Sequence, residues 1–125
     1  MIVPFSVSDF IDRAVQVYGD RTAVIDEPDQ PAPPLGTPTY AGFGALARRQ
    51  AAFLDGLGVG FGDRVAVVSQ NSARLLTSFF GVSGFGRVLV PVNFRLRPDE
   101  VRYIVEHSAP ASSTSTPNWT GRSAT

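Results

Sequence analysis

Glycine recurs at every second position from Gly56 to Gly62, a spacing that invites comparison with phosphate-binding loops. A nucleotide-binding glycine loop follows a strand and opens a helix, so that the helix N-terminus meets the phosphates. Here a helical pattern precedes the glycines and an apolar strand pattern follows them. The chain also contains no lysine, which excludes a Walker-type loop. We therefore interpret the series as a tight helix-to-strand turn.

The other ionisable side chains form no recognisable catalytic set. His107 is the single histidine, and no serine stands beside it in a nucleophile elbow. Carboxylates adjoin at Asp26-Glu27 and Asp99-Glu100, but adjacent side chains point apart, so solvation and helix-dipole interactions explain them better than acid–base or metal chemistry. Eleven acidic and eleven basic residues cancel, and cysteine is absent. Nucleic-acid binding, disulfides and cysteine-based zinc sites are therefore not expected.

The first part of the chain predicts a helix, a strand and a loop. Ser8 is placed to cap a helix from Asp9 to about Tyr18. The apolar face of this helix is predicted to comprise Phe10, Ala14 and Tyr18. A short strand is expected at Thr22–Asp26. The five prolines of Pro28–Pro38 predict an exposed loop, a lengthened hairpin connection in preference to a proline-recognition peptide.

The middle of the chain predicts a strand, a helix and a second strand. Thr39 is expected to cap a helix that runs to about Leu57 and precedes this unit. The predicted buried stripe of that helix is Leu46, Phe53, Leu54 and Leu57. Apolar strands are predicted at Arg64–Ser69 and Arg87–Pro91, with a helix from Asn71 or Ser72 to about Gly84 between them. Its inward side chains are predicted to be Leu75, Leu76, Phe79, Phe80 and Val82.

Strand, helix and strand at these lengths form a βαβ crossover, so the two strands are expected to be parallel. Pro98, followed by Asp99 and Glu100, begins a further helix that ends near His107. Its apolar face is predicted to be Val101, Ile104 and Val105. The fold class is therefore α/β, a βαβ-type sheet covered by helices.

Several short sequences in a fixed order resemble the N-terminal portion of the acyl-CoA synthetases, the AMP-binding, adenylate-forming ligases, over roughly residues 5–108. They are Thr39-Tyr40, Leu57-Gly58-Val59, Gly62-Asp63-Arg64-Val65, Asn71-Ser72, Gly86, Pro91-Val92-Asn93, Arg95-Leu96, Pro98-Asp99-Glu100-Val101 and Tyr103-Ile104. None of these short sequences is specific for the family by itself, whereas their joint order and spacing are. The chain departs from the family at Gly42, where the glutamate or glutamine of a capping box is usual, and at Arg97, where serine or threonine usually caps the following helix.

The resemblance implies a carboxylic acid–CoA ligase that uses ATP, magnesium and CoA through an acyl-adenylate. The family's phosphate loop and catalytic lysine have no counterpart here, so the chain is expected to retain none of these cofactors and to be inactive alone. Arg95 and Arg97 are candidates for contact with a CoA phosphate, against the alternative of solvated surface charges. Phe79, Phe80 and Phe85 are interpreted as core in preference to an acyl pocket.

The sequence changes character after Ser108. Residues 1–108 are interpreted as a partial ligase N-terminal domain, and Ala109–Thr125, with eight Ser or Thr among seventeen residues, as a disordered tail. A frameshift or early stop in a longer gene is the favoured explanation, and a genuine tail the alternative. Asn118-Trp119-Thr120 fits a glycosylation sequon, which we interpret as coincidence.

Besides an unrelated activity of a small domain, the sequence leaves two interpretations of its function. In the favoured one the chain is an inactive fragment of an acyl-CoA synthetase of fatty-acid metabolism. In the other it is a binding or regulatory module that docks onto a complementary ligase polypeptide or self-associates through an exposed sheet edge. No signal peptide or membrane span is predicted, and a cytoplasmic location is expected.

Overall fold

Four helices and a small parallel sheet make up the part of the chain that this computed structural model describes, residues 6–115. The helices are α1 (Val7–Tyr18), α2 (Tyr40–Gly56), α3 (Ala73–Gly81) and α4 (Pro98–Ser108). The strands are β1 (Arg64–Ser69), β2 (Val88–Asn93) and β3 (Ser112–Ser115), and a 3₁₀ turn spans Ser83–Phe85. Each helix, and each strand of the predicted crossover, is where the sequence patterns place it, to within a few residues.

Helix α1 begins two residues earlier than expected, because Ser6 and not Ser8 is its N-cap. The Asp9 carboxylate accepts a hydrogen bond from the Ser6 N–H (2.7 Å). The predicted apolar face is wrong, since Phe10 is 66% exposed and Ile11 is the buried residue. α1 lies close to α2 at Gly44, where a Cβ would stand 2.7 Å from the Val15 Cγ2. That glycine therefore permits the close approach that fixes the helix orientation.

The segment predicted as a strand, Thr22–Asp26, is not a strand, since it forms only an isolated antiparallel bridge from Thr22 to Thr39. Backbone N–H groups of Ala23 and Asp26 donate to Pro38 and Gly36 carbonyls, each at 2.9 Å. The returning segment carries prolines, which have no N–H to complete a ladder. The loop predicted at Pro28–Pro38 is confirmed as non-regular structure.

Helix α2 begins as predicted, with the Thr39 Oγ1 accepting from the Gly42 N–H (3.1 Å). Its buried side differs from the predicted stripe, of which only Leu54 is buried. The buried residues are Phe43, Gly44, Ala47, Gln50, Ala51 and Leu54. The small residues in this set let neighbouring helices approach closely, so the larger Leu46, Phe53 and Leu57 lie towards or at the surface.

The sheet is parallel with strand order β2-β1-β3, which confirms the βαβ crossover. Val65 is in register with Leu89 on one side and with Ser112 on the other. The apolar cluster beneath the sheet consists of Leu54, Val59, Val65, Val67 and Val82. β1 is thus the central strand, and its valines link the sheet to α2 and α3.

Helix α3 buries an unexpectedly polar face. Arg74, Thr77 and Ser78 are buried, whereas Leu76 and Phe79, predicted to point inward, are 42% and 43% exposed. Ser78 Oγ donates to the Arg74 carbonyl (3.1 Å) and accepts from the Gln50 Nε2 (2.9 Å). Because these hydroxyls use helix carbonyls and α2 as partners, their burial carries little desolvation penalty.

The glycine series is a helix-to-strand turn, as predicted, with Gly58 and Gly62 at φ 77° and 79°. Arg87, which directly precedes β2, is buried against this turn. Its Nε and Nη2 donate to the Val59 carbonyl (2.9 and 2.7 Å), and its Nη2 pairs with Asp55. The guanidinium therefore fastens the turn to the start of β2.

Helix α4 is the least covered helix, since none of its side chains is buried. Val101, Ile104 and Val105 are half-buried, in line with the predicted apolar face. Beyond it, the structure departs from the expected disordered tail at Ser112–Ser115, which form β3 beside β1. Backbone pairing requires no apolar side chain, which is why composition did not reveal this strand. The predicted tail from residue 116 onward, with Trp119 and the sequon, lies outside the described residues.

Candidate functional site

A cleft of about 630 Å³ opens where the parallel strands β1 and β2 end. Ser69 and Asn93 are the last residues of these strands, and the loops that follow each strand form two of its walls. The third wall is the loop after Asp26. Ligands of open α/β sheets bind outside the carboxyl ends of the strands, so this is the position at which a site is expected. The polar lining is Glu27, Asp29, Ser69, Gln70, Asn71, Asn93 and Arg95, and the apolar lining is Leu75, Pro91, Val92 and Phe94.

Arg95 supplies the cationic group of the cleft. Its backbone N–H donates to the Asn93 Oδ1 (3.0 Å), which turns the chain sharply after β2. The guanidinium carbon lies 5.5 Å from the centre of the Phe94 ring, an arrangement typical of a cation–π contact. Asn93 and Phe94 thus hold Arg95 at the rim, where its side chain is exposed to solvent.

Two carboxylates, Glu27 and Asp29, face the same cleft as Arg95. The formal charge of the lining is minus one, because one guanidinium is set against two acidic side chains. Sequence reasoning treated Glu27 as a solvated loop residue and did not place it near Arg95. No local signal indicates that these side chains share a cleft, because the loop after Asp26 reaches the strand ends only through tertiary contacts.

Arg97 lies outside this cleft, although the sequence paired it with Arg95 as a candidate. Its guanidinium stands 3.6 Å from the Asp99 Oδ2 and 3.9 Å from the Glu100 Oε2. The Glu100 carboxylate also accepts from the Arg97 N–H (2.9 Å), so it caps the first turn of α4 in place of the missing hydroxyl. The structure therefore brings Arg95, and not Arg97, to the cleft.

Asp26 is the residue that fixes the wall formed by the proline-rich loop. It is only 6% exposed, which corrects the expectation of a solvated carboxylate. Its Oδ1 accepts from the Ala73 N–H at the start of α3 (2.9 Å), and its Oδ2 accepts from the Leu35 N–H (2.8 Å). Arg74 Nη2 donates to the Pro33 carbonyl (2.7 Å). The loop is thus anchored to the N-terminus of α3 at two points.

The pKa of Asp26 lies below its ordinary value of 3.8. Burial alone would raise it, but the backbone hydrogen bonds from Leu35 and Ala73, and further hydrogen bonds from Gln30 and Glu27, outweigh that effect. Asp26 therefore remains ionised and occupies the positive end of the α3 dipole. Since Ser72 Oγ also accepts from the Leu75 N–H (3.4 Å), the helix start is already capped from within the chain.

The aromatic residues considered for an acyl pocket are only partly in the core. Phe80 is half-buried and meets Phe43 edge to face, with ring centres 5.6 Å apart. Phe79 and Phe85 are exposed, so the interpretation of these two as core is wrong. Among residues 6–115 no three histidine or acidic side chains are grouped so as to hold a metal ion. No helix in that range is long and apolar enough to cross a membrane.

Comparison with known proteins identifies the family. The sequence profile described as "AMP-binding enzyme" matches residues 11–113. The chain belongs to the AMP-binding enzyme family. Among its AMP-binding relatives, the 4-hydroxybutyrate–CoA ligase 2 of Metallosphaera sedula is 38% identical over 99 residues, which are 79% of this chain and 17% of that protein. The long-chain-fatty-acid–CoA ligase of Thermus thermophilus is 40% identical over 100 residues, 80% of this chain and 18% of that protein.

Solved structures of AMP-binding ligases share the fold. The N-terminal domain of FACL13 from Mycobacterium tuberculosis superposes with a TM-score of 0.80 at 30% identity, covering 94% of this chain and 29% of that one. The anthranilate CoA ligase AuaEII, solved with anthranoyl-AMP, gives a TM-score of 0.79 at 28% identity, covering 92% of this chain and 21% of that one. The chain thus spans about a fifth of the length of the curated relatives it matches. It is an N-terminal ligase segment by sequence and by fold.

Proposed function

We propose that this chain supplies the opening segment of an ATP-dependent acyl-CoA ligase, which joins a carboxylic acid to CoA through an acyl-adenylate. The observation that carries the proposal is the family match over residues 11–113. The names of the relatives add support, since each denotes a ligase of a carboxylic acid to CoA. The proposal includes ATP and CoA as substrates and magnesium as the metal cofactor. It also includes a role in fatty-acid metabolism and a cytoplasmic location.

The chain alone is proposed not to catalyse. Stabilisation of charge that develops at the attacked phosphate is commonly the largest contribution to catalysis, and a lysine point cation provides it in many phosphate sites. This sequence has no lysine. Within residues 6–115, the cleft at the strand ends offers a single guanidinium beside two carboxylates. Such a site lacks the excess positive charge that a triphosphate requires.

Within the assembled enzyme, Arg95 is proposed to contact a phosphate of CoA. It is exposed, it is held by Asn93 and Phe94, and no ion pair of its guanidinium is present among the described residues. Arg97 is the weaker candidate, because its charge is already balanced by Asp99 and Glu100. Glu27 and Asp29 would weaken phosphate binding, so the contact is expected to be modest.

Complementation tests the proposal. The chain is mixed with a separately produced polypeptide that carries the remainder of the Thermus thermophilus relative, and ATP–pyrophosphate exchange and acyl-CoA formation are measured. We expect no turnover from either part alone and measurable turnover from the mixture. Turnover by the chain alone, lost on substitution of a residue within it, would show that the proposed inactivity is wrong. Arg95→Ala should raise the KM for CoA in the mixture, and the matched control Arg97→Ala should not.

A second candidate function is a non-catalytic module that docks onto a ligase polypeptide. The excess of carboxylates in the cleft favours it, because that charge suits a basic protein segment better than a phosphate. The exposed apolar side chains Leu76 and Phe79 on α3 give a docking partner surface to cover. This alternative is favoured if the chain forms a stable complex with an intact ligase but gives no turnover when it is mixed with the remainder polypeptide.

A further inference from the structure

A smaller crevice of about 210 Å³ lies between α1, α2 and the 3₁₀ turn that precedes β2. It shares no lining residue with the cleft at the strand ends. Sites for drug-sized ligands measure about 300–1,000 Å³, so a crevice of this size suits a smaller molecule. Its lining includes Ile11, Asp12, Ala47, Arg48, Gly84 and Phe85.

Two opposite charges face this crevice from different helices. Asp12 belongs to α1 and Arg48 to α2. Within residues 6–115, neither side chain forms an ion pair or a side-chain hydrogen bond, with the other or with any third group. A carboxylate and a guanidinium that share a crevice without pairing leave both charges available to a ligand. Such a ligand would carry the complementary charge at each of two points.

Two glycines shape the crevice. A Cβ on Gly44 would lie 3.6 Å from the Arg48 Nη1, so the guanidinium lies back along α2, beside the residue at which α1 comes closest. A Cβ on Gly84 would lie 3.7 Å from the Ser8 Cβ, which is an ordinary van der Waals contact. The missing side chain at Gly84 therefore leaves space between the turn and α1.

The remaining lining of the crevice is largely apolar. Ile11 and Ala47 are buried, and Phe85 is 45% exposed. A ligand that is polar throughout would lose hydration against these side chains without gaining hydrogen bonds in return. A short apolar group would instead cover the exposed part of Phe85 and gain from its own burial. The lining thus suits a molecule with two opposite charges and a small apolar group.

We propose that this crevice is a binding site for a free α-amino acid with an aliphatic side chain. The ligand carboxylate would accept hydrogen bonds from the Arg48 guanidinium, and the ligand ammonium would donate to the Asp12 carboxylate. Its side chain would lie against Phe85. A simple anion would leave Asp12 without a partner, and a simple cation would leave Arg48 without one. A zwitterion of this size satisfies both charges at once.

Titration of the full chain with L-leucine tests the site, with binding followed by the NMR shifts of the backbone amides. We expect saturable shifts at Asp12, Arg48 and Gly84, with a dissociation constant on the order of 1 mM, a modest affinity suited to so small a ligand. No saturation by about 20 mM leucine overturns the proposal. Shifts confined to Ser69 and Asn93 place the ligand in the other cleft and also overturn it.

Two analogues of leucine test whether both charges of the ligand are used. The compound 4-methylpentanoate lacks the ammonium group, 3-methylbutylamine lacks the carboxylate, and each keeps the apolar chain. Each analogue loses its charge-assisted hydrogen bonds to one side of the crevice, so each should bind about tenfold more weakly than leucine. If either analogue binds as tightly as leucine, the site accepts a single charge and the proposed zwitterion is wrong.

Variants of the chain make the test specific to the two charged residues. Asp12→Asn and Arg48→Gln should each weaken leucine binding about tenfold, because each removes one charged partner of the ligand.

Arg49→Gln is the matched control, since it removes the neighbouring charge on α2 at a position that does not line the crevice, and it should leave the affinity unchanged. Gly84→Ala should also weaken binding, because the added methyl group occupies the space beside Ser8 without changing any charge.

Unchanged affinity in Asp12→Asn and Arg48→Gln overturns the proposal, and so does an equal loss in Arg49→Gln. Circular dichroism should show the same thermal unfolding for Asp12→Asn, Arg48→Gln and the wild type, because neither side chain has a partner among the described residues. A loss of affinity accompanied by unfolding would mean that these residues support the fold and not a ligand. None of these measurements uses ligase activity, so their outcome is independent of the proposed function.

Discussion

Replacement of Asp26 by asparagine should destabilise the whole molecule, because this carboxylate connects the proline-rich loop to α3. Asparagine keeps one oxygen, which can still accept from one of the two N–H groups that Asp26 serves, those of Ala73 and Leu35. Its NH₂ group then faces the other N–H, donor to donor. A hydrogen bond to a charged group contributes about 1.5–3 kcal/mol, so we expect Asp26→Asn to lower the free energy of unfolding by about 2–3 kcal/mol.

Urea denaturation followed by circular dichroism measures this loss. With an m-value of about 1.5 kcal/mol/M, the midpoint should fall by roughly 1.3–2 M. Asp29→Asn is the matched control, since it removes a charge from the same loop at an exposed position. It should change stability by less than about 0.5 kcal/mol. Equal losses in the two variants would refute the role assigned to Asp26.

The same loss should depend on pH. The pKa of Asp26 is lowered in the folded protein, so its contribution is complete above the unfolded value near 3.8 and disappears as the pH falls through the folded value. The difference between the wild type and Asp26→Asn should therefore be constant from pH 5 to 7 and shrink below about pH 4. A difference that grows on acidification would contradict the lowered pKa.

Three further substitutions test separate contacts, each by the same denaturation assay. Gly81→Ala should lower the free energy of unfolding by about 2 kcal/mol, because the added Cβ would lie 2.9 Å from the Gln50 Cβ. A neutral or stabilising effect would show that α2 and α3 are less closely packed than described. Arg87→Met should cost about 3 kcal/mol, since it leaves the buried carbonyl of Val59 without its guanidinium donors, and a loss below 1 kcal/mol would contradict this. Ala109→Gly should stabilise by up to about 1 kcal/mol, because glycine adopts positive φ without steric cost, and a destabilised variant would mean that Ala109 is not strained.

The crossover and its helices were predictable because they depend on local patterns. Apolar runs at Arg64–Ser69 and before Asn93, separated by a helical stretch, specify β1, α3 and β2 with little ambiguity. Thr39 and Pro98 mark helix starts by capping and by ring geometry, and both are confirmed. Such signals involve residues a few positions apart, so one sequence contains all of the information.

The predicted buried faces of the helices were wrong where the distance between helices decides which residues are buried. Gly44 and Gly81 let helices approach so closely that small and polar residues are buried, while Leu76 and Phe79 lie outside. A hydrophobicity pattern cannot register this, because it ranks residues by type and not by the space between helices.

The cleft was only half predicted. Arg95 was identified from its place after β2, but Glu27 and Asp29 reach the same cleft through a loop whose anchor, Asp26, bonds to a residue 47 positions away. β3 escaped prediction for a related reason, since backbone pairing leaves no trace in a serine-rich sequence.

The anchoring of the proline-rich loop has a consequence for the order in which the chain folds. The bond from Asp26 to Ala73 and the bond from Arg74 to Pro33 each close more than forty residues of chain. Pairing of β1 with β2 joins residues 24 positions apart, about half of that distance along the chain, and loses less chain entropy. We expect the crossover to form first and the loop to dock after the rate-limiting step, so that changes at Asp26 accelerate unfolding and leave refolding nearly unchanged. The wall of the cleft would then be the last part of the molecule to close and the first to open.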